Sequence, residues 1–288
     1  EASCGQLVYL YTKVNENFAG HPEEFFDAIS RPGKTDRERI TLATIDIGGG
    51  TTDLVITDYR LDRAGNATSG SNVHIVPEQR FRDGFKVAGD DILLDVIQEF
   101  ILPSFEKALQ DAGVKAPASL MSRLCGAESG SAQDMVLRQQ LNLQVFTPLG
   151  LELLRQYELY NPEFPVVAST HTYLELLGKD AISQSVLDYV NSAVRRELGG
   201  QTDFDLCKTP ITFDLQVMHG AFLNGQINIT KILGALCEVI AHYPCDMLLL
   251  TGRPSRLPGI QAFIRKMLPL PPGRILALQN YRTGGWYP

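Results

Sequence analysis

Apolar positions along the chain fall into distinct textures, and each texture predicts a kind of element. Two β-rich runs, Thr41 to Ile47 and Leu54 to Tyr59, flank the octet "DIGGGTTD" at residues 46–53 and read as strands joined by a glycine turn. After the polar loop "DRAGNATSGS", the stretch "NVHIVPEQRF" adds a strand and makes the segment a β-meander. From Val87 the period lengthens: "DDILLDVIQEFILPSFEKALQDAG" carries apolar residues at i, i+3, i+4 and i+7, a helix with a kink expected near Pro103. Ala116 to Glu197 reads as mainly helical, interrupted at "NPEFP". In "NITKILGALCEVIAHYP", Ile229, Ile232, Leu233, Leu236 and Ile240 share one stripe behind Asn228 as the N-cap. "DMLLLTG" then reads as a short apolar strand, "SRLPGIQAFIRKML" as a helix and "RILAL" as a last strand. At the other end "EASCGQLVYLYTKV" predicts a buried helix, whereas Asn15 to Lys34, polar and broken by Pro22 and Pro32, predicts a surface excursion.

Strands near both ends with a helical middle imply an α/β core carrying an inserted subdomain. The core is expected over residues 1–91 and 211–288, and the mainly helical insertion over residues 92–210. Composition narrows the classes. A formal net charge of −7 offers no electrostatic footprint for nucleic acid or an anionic membrane. The apolar runs fall far short of a bilayer span and no basic-then-apolar leader opens the chain, so a soluble cytoplasmic protein is expected. The five cysteines are odd in number, scattered and without a C-x-x-C, and read as reduced, packed thiols. The histidines are equally dispersed, none at a metal-ligand spacing. A start at Glu1 and an end at "YRTGGWYP" give the expectation of a piece of something longer.

The octet carries the candidate chemistry. Three glycines over-supply a simple hairpin, where Asn-Gly or Gly-Gly suffices. The run leads into "LVIT", a strand, which disfavours both a P-loop and the dinucleotide fingerprint, since each needs a helix next and the P-loop also needs a Lys. What remains is a strand-turn-strand whose amides and threonine hydroxyls can donate to phosphate oxygens. Asp46, at the end of the incoming strand, could hold Mg²⁺ through water or orient an attacking water. The simpler alternative is a glycine hairpin with a capping Asp.

"DIGGGTTD" resembles the second phosphate motif of the actin, sugar-kinase and DnaK heat-shock ATPase superfamily. Two further segments follow in that superfamily's order: "KVAGDD" at residues 86–91 resembles the turn opening the helical subdomain, and "LLLTGRPSRLPGIQ" at residues 248–261 resembles the adenosine motif. "EASCGQLVY" at residues 1–9 is similar to the first connecting helix. More narrowly, "TGRPSRLPGIQ", "PLPPGRI" and "YRTGGWYP" together resemble the C-terminal region of the SrfB family of bacterial virulence factors.

The resemblance implies an actin-like ATPase lobe of ribonuclease H-like fold, with a mixed sheet and a mainly helical inserted subdomain. It implies ATP and Mg²⁺ as cofactors. Gly48, Gly49, Gly50, Thr51 and Thr52 would face the phosphates, Asp46 would take the metal and water role, and Asp53 would support the same turn. Gly89 would lie near the ribose, and Gly252 and Arg256 at the adenine. The pattern departs where Arg253 and Pro254 replace the second glycine of the adenosine turn. No earlier phosphate hairpin matches, so the chain reads as the second of two lobes and needs a first lobe of the same protein. Alone it is expected to be inactive. The alternative is a degenerate lobe serving as an interaction scaffold among the proteins of a virulence or secretion system. Several acids receive structural readings: Asp90 and Asp91 complement a helix dipole, and Asp203 and Asp205 carry no chemistry. The sequons at Asn66 and Asn228 carry no meaning in a cytoplasmic protein, and Trp286 is a packing or partner residue.

Overall fold

A computed structural model describes residues 2–63, 73–126, 131–164, 168–200 and 204–278; Asn66, Asp203 and Trp286 lie outside them. The chain divides into two compact units, Glu1–Asp91 with Phe222–Pro288, and Ile92–Ala221. In chain order the strands are β1 Arg39–Ile47, β2 Thr52–Arg63, β3 Val73–Phe85, β4 Ser169–Thr172, β5 Pro210–Phe213, β6 Met247–Thr251 and β7 Ile275–Ala277.

The first unit is built on a mixed five-stranded sheet of order β3-β2-β1-β6-β7. β1, β2 and β3 form an antiparallel meander, and β1, β6 and β7 run parallel. Central strands of a sheet covered on both faces are apolar throughout, and β1 is buried from Ile40 to Ile47. β3 lies at the edge and is mostly exposed, which is where Pro77, lacking an N–H, can be tolerated. One face packs on helix α1, Ala2–Thr12, through Tyr9 and Leu10 against Ile40, Leu42, Tyr59 and Met247. Helix α1 is buried on that side only, because Leu7 and Tyr11 are exposed on the other. The opposite face of β1, with Ala43, Ile45 and Ile47, is equally buried. The remaining helices of the unit, Ile229–His242 and Pro258–Met267, carry apolar stripes that can cover it.

The segment expected to be a surface excursion contains a helix, α2, Pro22–Ile29. Pro22 stands in its first turn, where the missing N–H costs nothing, and Glu23 and Glu24 complement the helix dipole. Phe25 and Phe26 are 0% exposed and belong to the same apolar cluster as Tyr9 and Ile40. A mainly polar run hid two core aromatics. Asn228 stands at the N-cap position of Ile229–His242 but makes no side-chain cap; its amide oxygen accepts from the Lys231 ammonium at 3.2 Å.

The second unit is mainly helical, with long segments at Leu102–Asp111, Ala132–Leu141, Thr147–Tyr157 and Gln184–Glu197. The kink expected near Pro103 takes the form of a π-turn, Ile97–Ile101, immediately before it. A two-stranded antiparallel ribbon of β4 and β5 was not expected, since "STHT" and "PITF" are too short to show alternation. Phe105, with ring contacts to Phe146 and Tyr173, lies at the centre of this unit. Among the described residues no helix is long and apolar enough to cross a membrane.

Candidate functional site

The octet forms the hairpin between β1 and β2. The pairing runs to Ile47 opposite Thr52, and Gly48 closes the turn by donating its N–H to the Thr51 carbonyl at 2.8 Å. None of Gly48, Gly49 and Gly50 adopts the left-handed region, so the backbone angles alone do not require glycine here. Spacing explains one of them, Gly48; at Gly49 a Cβ would make only ordinary contact. A Cβ on Gly48 would lie 3.2 Å from the Thr51 carbonyl oxygen, and one on Gly49 would lie 3.8 Å from an Asp90 carboxylate oxygen. Around Gly50 there is open space. The next chain segment holds the loop from the side: Gly89 N–H donates to Gly48 O at 3.0 Å, and Asp90 N–H to Gly49 O at 2.8 Å. Asp91 accepts from the Ala88 N–H at 2.8 Å, which is a helix-start role. Thr52 is fully buried and its hydroxyl donates to Val87 O at 2.7 Å, so that side chain fastens the hairpin to the following turn and is turned away from the loop's open surface.

Below the turn, Asp46 and Asp53 are directly paired across β1 and β2. Paired residues of neighbouring strands project from the same face, so the two carboxylates are neighbours. Asp46 is 8% exposed. Asp53 accepts from the Thr51 hydroxyl at 3.3 Å and packs so closely on Gly84, its partner in β3, that a Cβ there would sit 2.6 Å from its oxygen. On the other side of Asp46 the β6 partner is Thr251, whose hydroxyl oxygen is buried with no hydrogen-bond partner. Gly5 of α1 lies over this spot, its Cβ position 3.2 Å from the Thr251 methyl. Asp46, Asp53 and Thr251 therefore form one row across three strands. Like charges directly opposite in a sheet destabilise it by roughly 0.2–1 kcal/mol, and no cation among the described residues forms an ion pair with either acid.

The third segment reaches the same end of the sheet. Gly252, just after β6, has φ +79°, and a Cβ on it would come within 1.9 Å of the Ile47 carbonyl oxygen. This glycine is required by contact with the end of β1. Pro254 follows, its ring 3.1 Å from the position a Cβ on Gly89 would take, so the surface over Gly89 is shared by Pro254 and the Gly48 carbonyl. Ser255 is buried and donates its hydroxyl to Gly252 O at 2.8 Å, which tightens the turn before the helix Pro258–Met267. Arg256 is exposed, and no hydrogen bond or ion pair among the described residues links it to the hairpin.

Three of the four segments singled out in the sequence thus meet at the hairpin end of the sheet, and the fourth, α1, lies over Thr251. The reading missed Gly84 and Thr251. Gly84 had a signal, a lone glycine inside a strand pattern, which marks close approach. Thr251 had none until the register with Asp46 is known. No group of three or more His, Cys, Asp or Glu able to hold a metal occurs among the described residues. Mg²⁺, however, takes one or two carboxylates and fills its remaining positions with water and phosphate oxygens, so the pair Asp46 and Asp53 with the unpartnered Thr251 hydroxyl fits its donor requirement. In comparison with known proteins, the family described as "Virulence factor SrfB" matches residues 1–288. No curated protein matches the chain.

Proposed function

The chain belongs to the SrfB virulence factor family, and from that premise we propose that its first unit is one lobe of an actin-like ATPase whose glycine hairpin faces the phosphates of Mg-ATP. One observation carries this reading: two acids paired across β1 and β2, with no ion pair to either among the described residues, beneath a glycine loop with open space at Gly50. A sheet does not gain from such a pair by itself; a divalent cation bridging to phosphate would remove the repulsion.

In this reading the loop at Gly49 and Gly50, with Thr51 beside it, faces phosphate oxygens. Asp46 holds the metal or orders water, and Asp53, fixed by Gly84 and Thr51, keeps the second carboxylate in place. Mg²⁺ would supply charge neutralisation at the phosphates. Catalysis would be positioning and electrostatics on a preorganised turn. A single wall cannot enclose a nucleotide, so the proposal includes a first lobe of the same protein opposite this one, with closure of the two as the output to partners in a virulence or secretion assembly.

Calorimetry with Mg-ATP on the protein carrying both lobes tests the reading. The expected result is saturable binding, weakened at least tenfold by Asp46→Asn, with turnover lost in Asp46→Ala. This chain alone is expected to bind weakly and not to turn over. Absence of heat and of any thermal shift in the two-lobed protein, or unchanged turnover in Asp46→Ala, would sink it.

A second reading has its own observation. Gly252 is consumed by contact with Ile47, and Pro254 fills the space against Gly89, which leaves little room for a nucleoside there. A degenerate lobe acting as a protein scaffold without hydrolysis accounts for that. The same calorimetry separates the two, since the scaffold predicts no nucleotide heat.

A further inference from the structure

At the end of the sheet away from the hairpin, Asp246 precedes β6 and is 0% exposed. Its charge is fully answered: its carboxylate accepts from Lys34 Nζ at 2.6 Å, Thr41 N–H at 2.7 Å and Arg31 N–H at 2.9 Å. Arg274 is equally committed. Its guanidinium donates to the carbonyls of Asp246 and Ser30, both at 3.0 Å, and to that of Ile29, and so ties α2 to the strand entry.

Arg31 differs. Its backbone is used, the N–H by Asp246 and the carbonyl by the Lys34 N–H, but its guanidinium forms no hydrogen bond or ion pair with the described residues. It lines a cavity of about 300 Å³ whose other walls are largely apolar, among them Pro32, Ile240, Tyr243, Leu268 and Leu270. That volume is at the low end for small-molecule pockets. Two cations, Arg31 and Arg274, stand on the cavity wall, while the buried Asp246 and its partner Lys34 are not among the lining residues and the Asp246 oxygens already have their donors. A half-buried guanidinium facing an apolar space is best satisfied by a planar anion that accepts two N–H bonds.

We propose that this cavity binds a small organic carboxylate with an apolar body, the carboxylate on Arg31 and the body against the proline and leucine walls. Three of the five guanidinium N–H donors of Arg274 are committed to backbone carbonyls, so the carboxylate is placed on Arg31, whose guanidinium is not. The site is separate from the hairpin and does not rest on nucleotide binding.

Titration calorimetry on the chain with octanoate and 1-naphthoate, against 1-octanol as the uncharged control, tests it. The expected result is saturable one-to-one carboxylate binding that weakens with added salt while octanol binding does not. Arg31→Met is expected to weaken the carboxylates about ten- to a hundredfold and leave octanol unchanged, since a hydrogen bond to a charged group contributes about 1.5–3 kcal/mol. Arg31→Lys should fall between. The substitution keeps the backbone N–H to Asp246, and circular dichroism checks that each variant folds. No saturable binding by the wild type, salt-insensitive binding, or equal binding in a folded Arg31→Met variant would each overturn the assignment.

Discussion

Gly252 and Gly50 look alike in the sequence and differ in what surrounds them. At Gly252 the φ of +79° is one an L side chain adopts with strain, and a Cβ would lie 1.9 Å from the Ile47 carbonyl oxygen. Gly252→Ala is therefore expected to destabilise the chain by about 3 kcal/mol or more, a size that follows from backbone strain plus a clash that only backbone movement relieves. Gly50 has an ordinary backbone and open space, so Gly50→Ala is expected to change stability by no more than about 0.5 kcal/mol. Urea unfolding of the two variants reads both, and similar losses would refute the contrast. Because stability does not require glycine at 50, a loss of nucleotide binding in Gly50→Ala would point to ligand approach. Asp46 offers a matching sign test. In chelator, Asp46→Asn is expected to be more stable than the wild type by roughly 0.2–1 kcal/mol, because it removes the like-charge pair with Asp53; a loss there would mean the carboxylate has a structural partner. The residues of the octet were legible because glycine and β-branched types announce a turn between strands. Gly84 and Thr251 were not read as part of it, since each matters only through the register that sets it beside Asp53 or Asp46.

Elements were legible where their period was long and regular. The β1–β2 hairpin, β6 and the helices Ile229–His242 and Pro258–Met267 stand where the apolar pattern put them. α2 was hidden because its apolar stripe, Phe25, Phe26 and Ile29, spans only about two turns inside a polar run broken by prolines, where Pro22 reads as a breaker although it stands in the helix's first turn. α1 was read as buried, and the structure gives it one buried side fixed by a polar residue. Gln6 is 0% exposed; its amide donates to Leu42 O at 3.4 Å and Val55 O at 3.3 Å, and its oxygen accepts from Tyr59 Oη at 2.9 Å. A glutamine wholly inside an apolar interface costs stability unless all its atoms are answered, so it fixes how α1 lies on the sheet. Gln6→Leu should cost about 1–3 kcal/mol by leaving the Tyr59 hydroxyl buried without its acceptor, and Tyr59→Phe in the same background should return part of it. Denaturation of the four members of the cycle measures the coupling. Additive losses would show that the hydrogen bond is not what holds the helix.

Across the whole molecule, buried thiols set how the fold responds to alkali. Cys125 lies in the helical unit, and Cys237 and Cys245 in the sheet unit, so both units carry the effect independently. Burial pushes each thiol up to about 12, and Tyr59 likewise to about 12. A thiol whose pKa is raised by folding is neutral in both states below the ordinary thiol value, so its stabilising contribution is complete there. As pH rises past that value the unfolded chain ionises and the folded one does not, and stability falls until the folded pKa is reached. Between about pH 8 and about pH 10 each such thiol should cost about 1.4 kcal/mol, so about 1.4 kcal/mol in the helical unit and about 3 kcal/mol in the sheet unit, against the 5–15 kcal/mol typical of a domain. Exposed Cys4 lies outside this group and should react at once with a thiol reagent, whereas the buried Cys237 and Cys245 should react only at the rate of opening. Replacing Cys125, Cys237 and Cys245 with alanine lowers stability at neutral pH through lost packing, yet should flatten its dependence on pH over this window. Urea midpoints measured in reducing buffer at both ends of the window decide it, because a triple variant as steep as the wild type would assign the alkaline loss to Tyr59 and the surface charges instead.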